Sequence, residues 1–360
     1  MGARMGAEVK ATEEKASLGQ ALFLGCGGSG KTTLKLNLQG PDEFKKKKRD
    51  SYTDLIQYHI VDMMQKIIKQ AFAEDNEVPI ELREPKKAID KYDSEEEKKK
   101  TQKNRFTPEV AAAVSQFWAH DRIKEASTSV LDDDFDHYGH ELLENAEKIA
   151  EKGYTPSFND ILKMRAKTTG FGLTNIDTDE GERYQVMDVG GMRSERKKWN
   201  RHLAENNQEN NTIIFCVSLC GFDEVVTINQ SIPYPNLTPS PIFIPVIPFP
   251  HEHQTLREKA DANCMLEALK VWESVLNWKA HKESNIILVF TKPDLLREKL
   301  SKSTFTSESS AFKDNPAAKK CVDVSSTIDF IKGEFLSKVK GQHRLFPQEY
   351  RSHFLRKLVV

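Results

Sequence analysis

A glycine-rich loop directly after an apolar run is the feature that most constrains this chain. Residues 21–24 read Ala-Leu-Phe-Leu, and residues 25–32 match the pattern GxxxxGK[ST] at every fixed position. Such a loop joins a strand to the start of a helix, and its glycines let successive backbone N–H groups point at phosphate oxygens. The sequence therefore predicts a nucleotide site at a strand–loop–helix junction.

The positions of this phosphate loop have different expected parts in binding. Lys31 supplies a positive charge to the phosphates, and Thr32 offers a hydroxyl to Mg²⁺. A glycine-rich turn without a nucleotide is the alternative, which the flanking strand and helix patterns disfavour. The remaining contacts expected from the loop are Gly25, Gly27, Gly28, Ser29, Gly30 and Thr33.

Composition argues against several other classes of protein. The 360 residues have a formal net charge of −1, which implies no bulk attraction to nucleic acid, and 38% are hydrophobic, enough for one large domain or two. The five cysteines lack CxxC spacing, which predicts free thiols. No apolar stretch approaches the ~20 residues that span a bilayer. We therefore expect a cytoplasmic protein.

Hydrophobic periodicity suggests the order of elements along the chain. A low-hydrophobicity charged segment, 74–104, is predicted to be a solvated, mobile connection. Helical spacing occurs over 52–72, 108–118 and 138–150, and apolar β-branched runs typical of buried parallel strands occur at 185–187, 212–217 and 286–290. This order predicts an α/β nucleotide domain with an all-α domain inserted into it.

Two further motifs indicate the kind of nucleotide-binding protein. Asp188 ends a predicted strand, where it can hold Mg²⁺ through water, and Gly190-Gly191 can swing a backbone N–H onto a γ-phosphate. In the segment 165–170, Arg165 is placed to act in cis on transition-state charge while Thr168 completes the magnesium shell. The predicted metal ligands are therefore Thr32, Thr168 and Asp188.

Together, in this order, the motifs resemble those of the α subunits of heterotrimeric G proteins, over nearly the whole chain. The resemblance implies a Ras-like P-loop domain with a mainly parallel sheet over 1–40 and 168–360, and an inserted helical domain over 41–167. It also implies a signalling GTPase that binds GTP and GDP with Mg²⁺ and transduces a receptor signal.

The same resemblance assigns nucleotide contacts to other positions. The segment 154–170 looks like the second interdomain linker leading into switch I, with Leu162 and Arg165 at the nucleotide. Residues 290–295 resemble the family's N/TKxD base-reading motif. The resemblance implies that Asp294 accepts from the guanine N1 and N2 hydrogens, that the Lys292 stem lies along the ring, that Thr291 opens the motif, and that Val324 donates a backbone N–H to the guanine oxygen.

Residues 193–199 resemble the family's switch II, which the family uses against its βγ dimer and its effectors, and the resemblance as a whole implies three kinds of partner. These are a G protein βγ dimer, a G protein-coupled receptor and an effector that the sequence does not identify. The βγ contact is assigned to Arg193, Lys197, Lys198 and Trp199. The alternative is that the two lysines form an ordinary solvated face and Trp199 is a core residue.

Three departures from the family pattern predict altered kinetics. Met192 stands at the place of the family's catalytic glutamine, and a thioether cannot orient an attacking water, so hydrolysis should be slow. Gly28 replaces the acidic residue that can latch onto Arg165, so GDP release should be faster. Thr291 replaces asparagine and removes an amide that ties its loop to the phosphate loop. We therefore expect a subunit biased toward its GTP state.

The ends and one insertion also depart from the family. Only 24 residues precede Gly25, so a short βγ-binding helix is expected, and Gly6 disfavours myristoylation of Gly2. Attachment to the inner face of the plasma membrane is then expected only through partners. The proline-rich run 231–250 is predicted to be an irregular insertion or a flaw in assembly of the coding sequence, with an SH3 ligand as the alternative. The basic stretch 341–360 stands where the family contacts receptors.

Two other functions remain open from the residues alone. One is a non-catalytic relative that serves as a scaffold for βγ or another partner, which Met192 favours and the intact Lys31, Thr32 and Asp188 oppose. The other is an unrelated P-loop ATPase or kinase, which leaves the helical insertion and the base-reading motif unexplained.

Overall fold

The computed structural model describes residues 19–41, 46–73, 77–92, 106–134, 139–163, 168, 170–177, 183–199, 211–224, 263–278 and 284–339. These residues form two compact units. The first runs to Leu38, resumes at Thr168 and includes everything described after it, and the second lies between Gln39 and Lys167.

The first unit is built on a five-stranded sheet with the order β2-β3-β1-β4-β5 within the described residues. Its strands are β1 (Gly19–Leu24), β2 (Phe171–Asp177), β3 (Arg183–Val189), β4 (Asn211–Ser218) and β5 (Asn285–Thr291). β1 pairs in parallel with β3 and β4, and β4 with β5, while β2 is antiparallel to β3. The predicted mainly parallel sheet is confirmed. Of the four described strands after the helical block, β3, β4 and β5 lie where the apolar runs indicated, and β2 was not predicted.

Twelve α-helices are described, and three short 3₁₀ turns accompany them at Ile80–Leu82, Leu219–Phe222 and Ala318–Lys320. The α-helices are α1 (Lys31–Gln39), α2 (Lys46–Ala71), α3 (Arg83–Tyr92), α4 (Pro108–Trp118), α5 (Asp121–Asp134), α6 (Gly139–Glu144), α7 (Ala146–Ala150), α8 (Phe158–Lys163), α9 (Arg193–Arg196), α10 (Cys264–Leu276), α11 (Pro293–Lys302) and α12 (Val324–Leu336). The predicted helix over 138–150 is split at Asn145, whose amide donates to the Glu141 carbonyl at 2.8 Å.

Helices cover both faces of the sheet, which explains why its strands read as continuous apolar runs. Side chains alternate along a strand, so Leu22 and Leu24 of β1 enter one apolar cluster while Ala21 and Phe23 enter another. The larger cluster includes Trp272 of α10, whose indole N–H donates to the Phe335 carbonyl of α12 at 2.9 Å. This core includes Leu24 and Val189, and Phe290 packs against it; these residues lie near the carboxyl ends of β1, β3 and β5.

The second unit packs around α2, whose apolar stripe is fully buried. Ile60, Met64 and Ile67 lie on this stripe, and they share a core with Phe117 of α4 and Leu143 of α6. Helical spacing of three and four residues produces such a stripe on one side of a long helix. The helix predicted over 52–72 is therefore confirmed, with six more residues at its start.

The description of 74–104 as a solvated, mobile connection is wrong for its described part. Residues 80–92 form a 3₁₀ turn followed by α3, and Leu82, Ile89 and Tyr92 are buried in the core of the second unit. Charged residues dominate the composition of this segment, but its few apolar residues recur on one helical face. That spacing is the signal that composition obscured.

No helix among the described residues is long and apolar enough to span a membrane. The proline-rich run 231–250, the N-terminal segment with Gly2 and the stretch 341–360 lie outside the described residues. All five cysteines lie within them as free thiols, as predicted.

The burial of α3 generates a stability prediction. Ile89→Ala should lower the free energy of unfolding by about 2–5 kcal/mol, because it removes a fully buried side chain and leaves a cavity. Urea unfolding measures the change, with the exposed Lys91→Ala on the same helix as the control. Equal unfolding midpoints for the two variants would mean that α3 is not part of the core.

Candidate functional site

The phosphate loop connects β1 to α1 and needs glycine for steric reasons. Gly25 has a φ of 139°, and a Cβ there would lie 2.3 Å from the Cys216 carbonyl oxygen on β4. Gly28 and Gly30 also have positive φ. A positive φ is strained for residues with a side chain, so the glycines allow the loop to stay close to the sheet. The loop therefore has the conformation that its motif predicts.

Lys31 is 5% exposed, and its ammonium holds the phosphate loop together from within. Its Nζ donates to the carbonyls of Gly25 at 3.0 Å and Cys26 at 2.7 Å, and to Ser29 Oγ at 3.3 Å. Burial lowers the pKa of Lys31, and the charge of Asp188 opposes that shift. The predicted phosphate-binding cation thus lies inside the loop, beside the predicted metal ligands.

The three predicted magnesium ligands form a single hydrogen-bonded chain. Thr168 Oγ1 lies 2.9 Å from Thr32 Oγ1, and the Thr32 hydroxyl donates to Asp188 Oδ2 at 2.9 Å. Asp188 is fully buried, and its Oδ1 has no hydrogen-bond partner among the described residues. One carboxylate and two hydroxyls are hard oxygen donors of the kind Mg²⁺ prefers. The donor set and the unpaired buried oxygen both fit that ion.

A further cation reaches this chain of oxygens. Lys35 Nζ lies 3.1 Å from Asp188 Oδ2, and its side chain is 15% exposed. Lys35 is one helical turn beyond Lys31, so the two ammonium groups project from the same side of α1. Sequence reasoning missed this residue, although its four-residue spacing from Lys31 was a usable signal.

The loop after β3 packs directly against the phosphate loop. A Cβ on Gly191 would lie 2.4 Å from Lys31 Nζ and 2.5 Å from the Gly25 carbonyl oxygen. Gly190 donates its N–H to the Gly170 carbonyl at 3.0 Å. The absence of a side chain on Gly191 therefore allows this backbone to pack against the phosphate loop.

Met192 follows the glycine pair and is 37% exposed. Its Cγ would lie 3.6 Å from a Cβ on Gly27 of the phosphate loop. A thioether has one weak acceptor and no N–H or O–H donor. The side chain of Met192, beside the phosphate loop, therefore cannot donate a hydrogen bond.

Two arginines of α9 converge on one carboxylate of α10. Arg193 Nε donates to Glu267 Oε1 at 2.7 Å, and Arg193 and Arg196 each place an Nη2 group on the same carboxylate. Hydrogen bonds from Arg193 lower the pKa of Glu267 to about 2, with Arg196 adding to the effect and burial opposing it. Arg196 also donates to Cys26 Sγ at 3.4 Å, so α9, α10 and the phosphate loop are linked.

Trp199 does not belong to an exposed contact surface in this structure. It is 3% exposed, its indole N–H donates to the Gly190 carbonyl at 2.9 Å, and its ring meets Trp278 edge to face. The assignment of Trp199 to the partner surface is therefore corrected: it is a core residue. Lys197 and Lys198 are exposed, and Lys198 forms an ion pair with Glu195.

Thr291 lies at the end of β5 and contacts the phosphate loop. Its hydroxyl is placed to donate to the Ser29 carbonyl at 3.1 Å or to the Val217 carbonyl at 3.2 Å. The expectation that threonine removes the tie between these loops is therefore wrong. A hydroxyl supplies the donor that an amide would have provided.

The other positions predicted to read the base lie in α11 and α12 and in the residue between β5 and α11. Lys292 has a φ of 62° and precedes Pro293, the first residue of α11, and Asp294 is exposed in the first turn of that helix. A non-glycine residue in this conformation is uncommon, and such strain tends to occur at functional sites. Val324 opens α12, and its neighbour Asp323 forms a capping box with Ser326.

Two predicted site residues do not belong to the described part of the first unit. Leu162 lies in α8 of the second unit, and Arg165 lies outside the described residues. The first unit unites the residues of the phosphate loop with Thr168, Asp188, Gly190, Gly191, Met192 and Thr291. No three His, Cys, Asp or Glu side chains among the described residues surround a common point.

Fold and site geometry together place the chain among P-loop nucleotide-binding proteins that combine a Ras-like domain with a helical unit. A family model described as "G-protein alpha subunit" matches residues 3–357, and the chain belongs to this family. Its members bind guanine nucleotides, are GTPases in general, and generally partner with βγ dimers and receptors.

Curated relatives carry the same family name at modest identity. The guanine nucleotide-binding protein alpha-7 subunits of Caenorhabditis elegans and Caenorhabditis briggsae are each 28% identical over 294 residues, which cover 79% of this chain and 70% of the relative. The G(o) subunit alpha of Lymnaea stagnalis is 31% identical over 206 residues, covering 56% of this chain and 47% of the relative.

The Glu267 cluster generates a pH prediction. Its folded-state pKa of about 2 lies below the ordinary value of 4.5, so its contribution to stability is present above pH 4.5 and is lost as pH falls toward 2. Glu267→Gln should therefore be less stable than wild type at pH 7. The difference should shrink below pH 4.5, as measured by urea unfolding.

The control for this test is Glu273→Gln, an exposed position on the same helix. Its unfolding midpoint should follow wild type at every pH. A Glu267→Gln difference that stays constant down to pH 3 would contradict the ion-pair assignment.

Proposed function

We propose that this chain is the α subunit of a heterotrimeric G protein, a switch that binds GTP and GDP with Mg²⁺ and transduces a receptor signal. The observation that carries the proposal is the chain of oxygens Thr168–Thr32–Asp188, with contacts of 2.9 Å, beside the buried ammonium of Lys31. A phosphate-binding cation and a hard-metal donor set at the carboxyl ends of parallel strands are what a nucleotide–magnesium complex requires.

The proposed nucleotide contacts follow from these positions. Phosphate oxygens accept from Lys31 and from N–H groups of the phosphate loop, and Thr32, Thr168 and Asp188 hold Mg²⁺, which neutralises charge on the phosphates when bound. The base lies near the end of β5, where Thr291, Lys292, Asp294 and Val324 recognise guanine. Family membership supports the choice of guanine over adenine.

The proposed reaction is slow hydrolysis of GTP. Arg165 is assigned to the transition-state charge, in cis, and no side chain at position 192 orients the attacking water. Met192 lies beside Gly27 of the phosphate loop, so its side chain is near the phosphates without a hydrogen-bond donor to offer. Chemistry then depends on charge stabilisation alone, which favours a long-lived GTP state.

Replacing this thioether tests the proposed reaction. Met192→Gln should raise the single-turnover rate of GTP hydrolysis by roughly 10²-fold, the size of effect seen when one oriented hydrogen-bonding group is gained or lost at a reacting centre. Met192→Leu is the matched control, with similar volume and no polar atom, and should hydrolyse GTP at the wild-type rate.

The outcomes of this test separate the two candidate functions. Equal rates in all three proteins, with nucleotide bound, would remove Met192 as the cause of slow turnover. Failure of the wild type and both variants to bind guanine nucleotide would favour the scaffold function, which the thioether at position 192 also supports.

The loop contact of Thr291 bears on nucleotide exchange. The proposed fast release of GDP now rests on Gly28, which offers no carboxylate to Arg165, because the hydroxyl of Thr291 keeps its contact with Ser29. Thr291→Val should release GDP about 5-fold faster, since a lost neutral hydrogen bond costs about 1 kcal/mol. Stopped-flow release of a fluorescent GDP measures this rate.

Thr291→Ser keeps the hydroxyl and is the control for that measurement. It should release GDP at the wild-type rate. If Thr291→Val releases GDP at the same rate as wild type and Thr291→Ser, the contact with the Ser29 carbonyl does not limit release.

The proposed partners follow from family membership and from exposed charge. Lys197 and Lys198 offer an exposed basic surface next to the switch, and we assign the βγ contact to this surface, with Arg193 held on Glu267 at its edge. A receptor and an effector complete the proposed assembly. The protein then works in the cytoplasm and reaches the inner face of the plasma membrane through these partners.

A further inference from the structure

A cavity of about 550 Å³ opens between α4, α5 and α6 of the second unit. Its floor is apolar, because Trp118 of α4 and Leu143 of α6 line it and both belong to the core of this unit. The His140 ring meets the Trp118 ring edge to face, with the ring centroids 5.3 Å apart. The volume lies within the range of pockets that bind small molecules, about 300–1,000 Å³.

Two opposite charges line the same cavity. Lys124 of α5 and Glu144 of α6 are both exposed, and neither forms an ion pair with any residue that the structure describes. By contrast, Lys86 of α3 in the same unit pairs with Asp90, one turn along its own helix. An ammonium and a carboxylate that stay available at one cavity can bind a ligand with the complementary pair of charges.

The α5 side of the cavity is held by a hydrogen bond. Ser127 is fully buried, and its hydroxyl donates to the Lys124 carbonyl at 2.7 Å. The backbone of Lys124 is therefore fixed beside the apolar floor, while its side chain is exposed. Apolar surface at the bottom and opposite charges at the mouth suit a ligand that has a ring at one end and two charged groups at the other.

We propose that this cavity binds a small aromatic zwitterion, a molecule with an aryl ring, one carboxylate and one ammonium, such as an aromatic α-amino acid. The ring packs on Trp118 and Leu143, the carboxylate pairs with Lys124, and the ammonium pairs with Glu144. An aryl anion without the ammonium would instead be repelled by the carboxylate of Glu144.

The site lies wholly within the second unit. Binding of the zwitterion therefore requires no guanine nucleotide. Its failure would leave the proposed GTPase function unaffected, and failure of that function would leave this site unaffected.

The test uses para-fluoro-L-phenylalanine as the probe and ligand-observed fluorine NMR of the full chain as the readout. The Kd should be about 1 mM or tighter, as expected for a ligand of about a dozen non-hydrogen atoms. Lys124→Met and Glu144→Gln should each weaken binding about 3- to 5-fold, the effect of losing a partly exposed ion pair. Both positions are exposed, so both variants should fold as wild type does.

Two analogues of the probe assign each charge to its partner. Para-fluorophenylpropionate lacks the ammonium, and its binding should be weakened by Lys124→Met but not by Glu144→Gln. Para-fluorophenethylamine lacks the carboxylate, and its binding should be weakened by Glu144→Gln but not by Lys124→Met. Lys148→Met and Glu147→Gln change exposed residues of α7 in the same unit, and both control variants should bind every probe as wild type does.

Three outcomes would overturn the proposal. One is the absence of probe binding to the wild type. Another is equal affinity in wild type, Lys124→Met and Glu144→Gln, which would mean that the ring associates without use of either charge. The third is binding of the propionate as tightly as the amino acid, with no effect of Glu144→Gln on either, which would assign the cavity to an aryl anion.

Discussion

A buried carboxylate at the end of a central strand is the constraint on which the rest of the site depends. Asp188 is fully buried, and an ionised group in such a place must be paired or bind a metal. Thr32 and Lys35 reach it from α1, and Thr168 joins through Thr32. The single charge of Asp188 at the end of β3 therefore contacts α1 directly and, through Thr32, the residue Thr168 that precedes β2.

A second set of charges connects this centre to α9. Glu267 of α10 binds Arg193 and Arg196, and Arg196 reaches Cys26 in the phosphate loop. Gly190 and Gly191 bring the intervening backbone against Lys31 and Thr168, where any side chain would collide. The glycine pair and Arg196 therefore both contact the phosphate loop, so the arginine–carboxylate cluster and this backbone are packed on the same loop.

Prediction from the sequence succeeded where a pattern is local and strong. The phosphate loop has a fixed motif, α2 has a long run of helical spacing, and the buried strands are short apolar runs rich in β-branched residues. It failed where local composition misleads: β2 is an edge strand of the sheet formed by the described residues and has mixed polarity, and α3 has a narrow apolar stripe among many charges. Thr291 and Trp199 were interpreted by analogy with the family, and their hydrogen bonds and burial correct both interpretations.

The sequence by itself determined the phosphate loop, the mainly parallel strands, the helical insertion and the residue types that suit guanine nucleotide and Mg²⁺. The phosphate loop and the residue types depend on spacings within one loop or element, and the strands and the insertion depend on the order of elements along the chain. Only the tertiary structure decided that Lys35 lies on Asp188, that Glu267 gathers two arginines and that Thr291 reaches Ser29. The two residues of each contact are separated by 71 to 262 residues in the chain. Only the packing of the strands and helices brings them together.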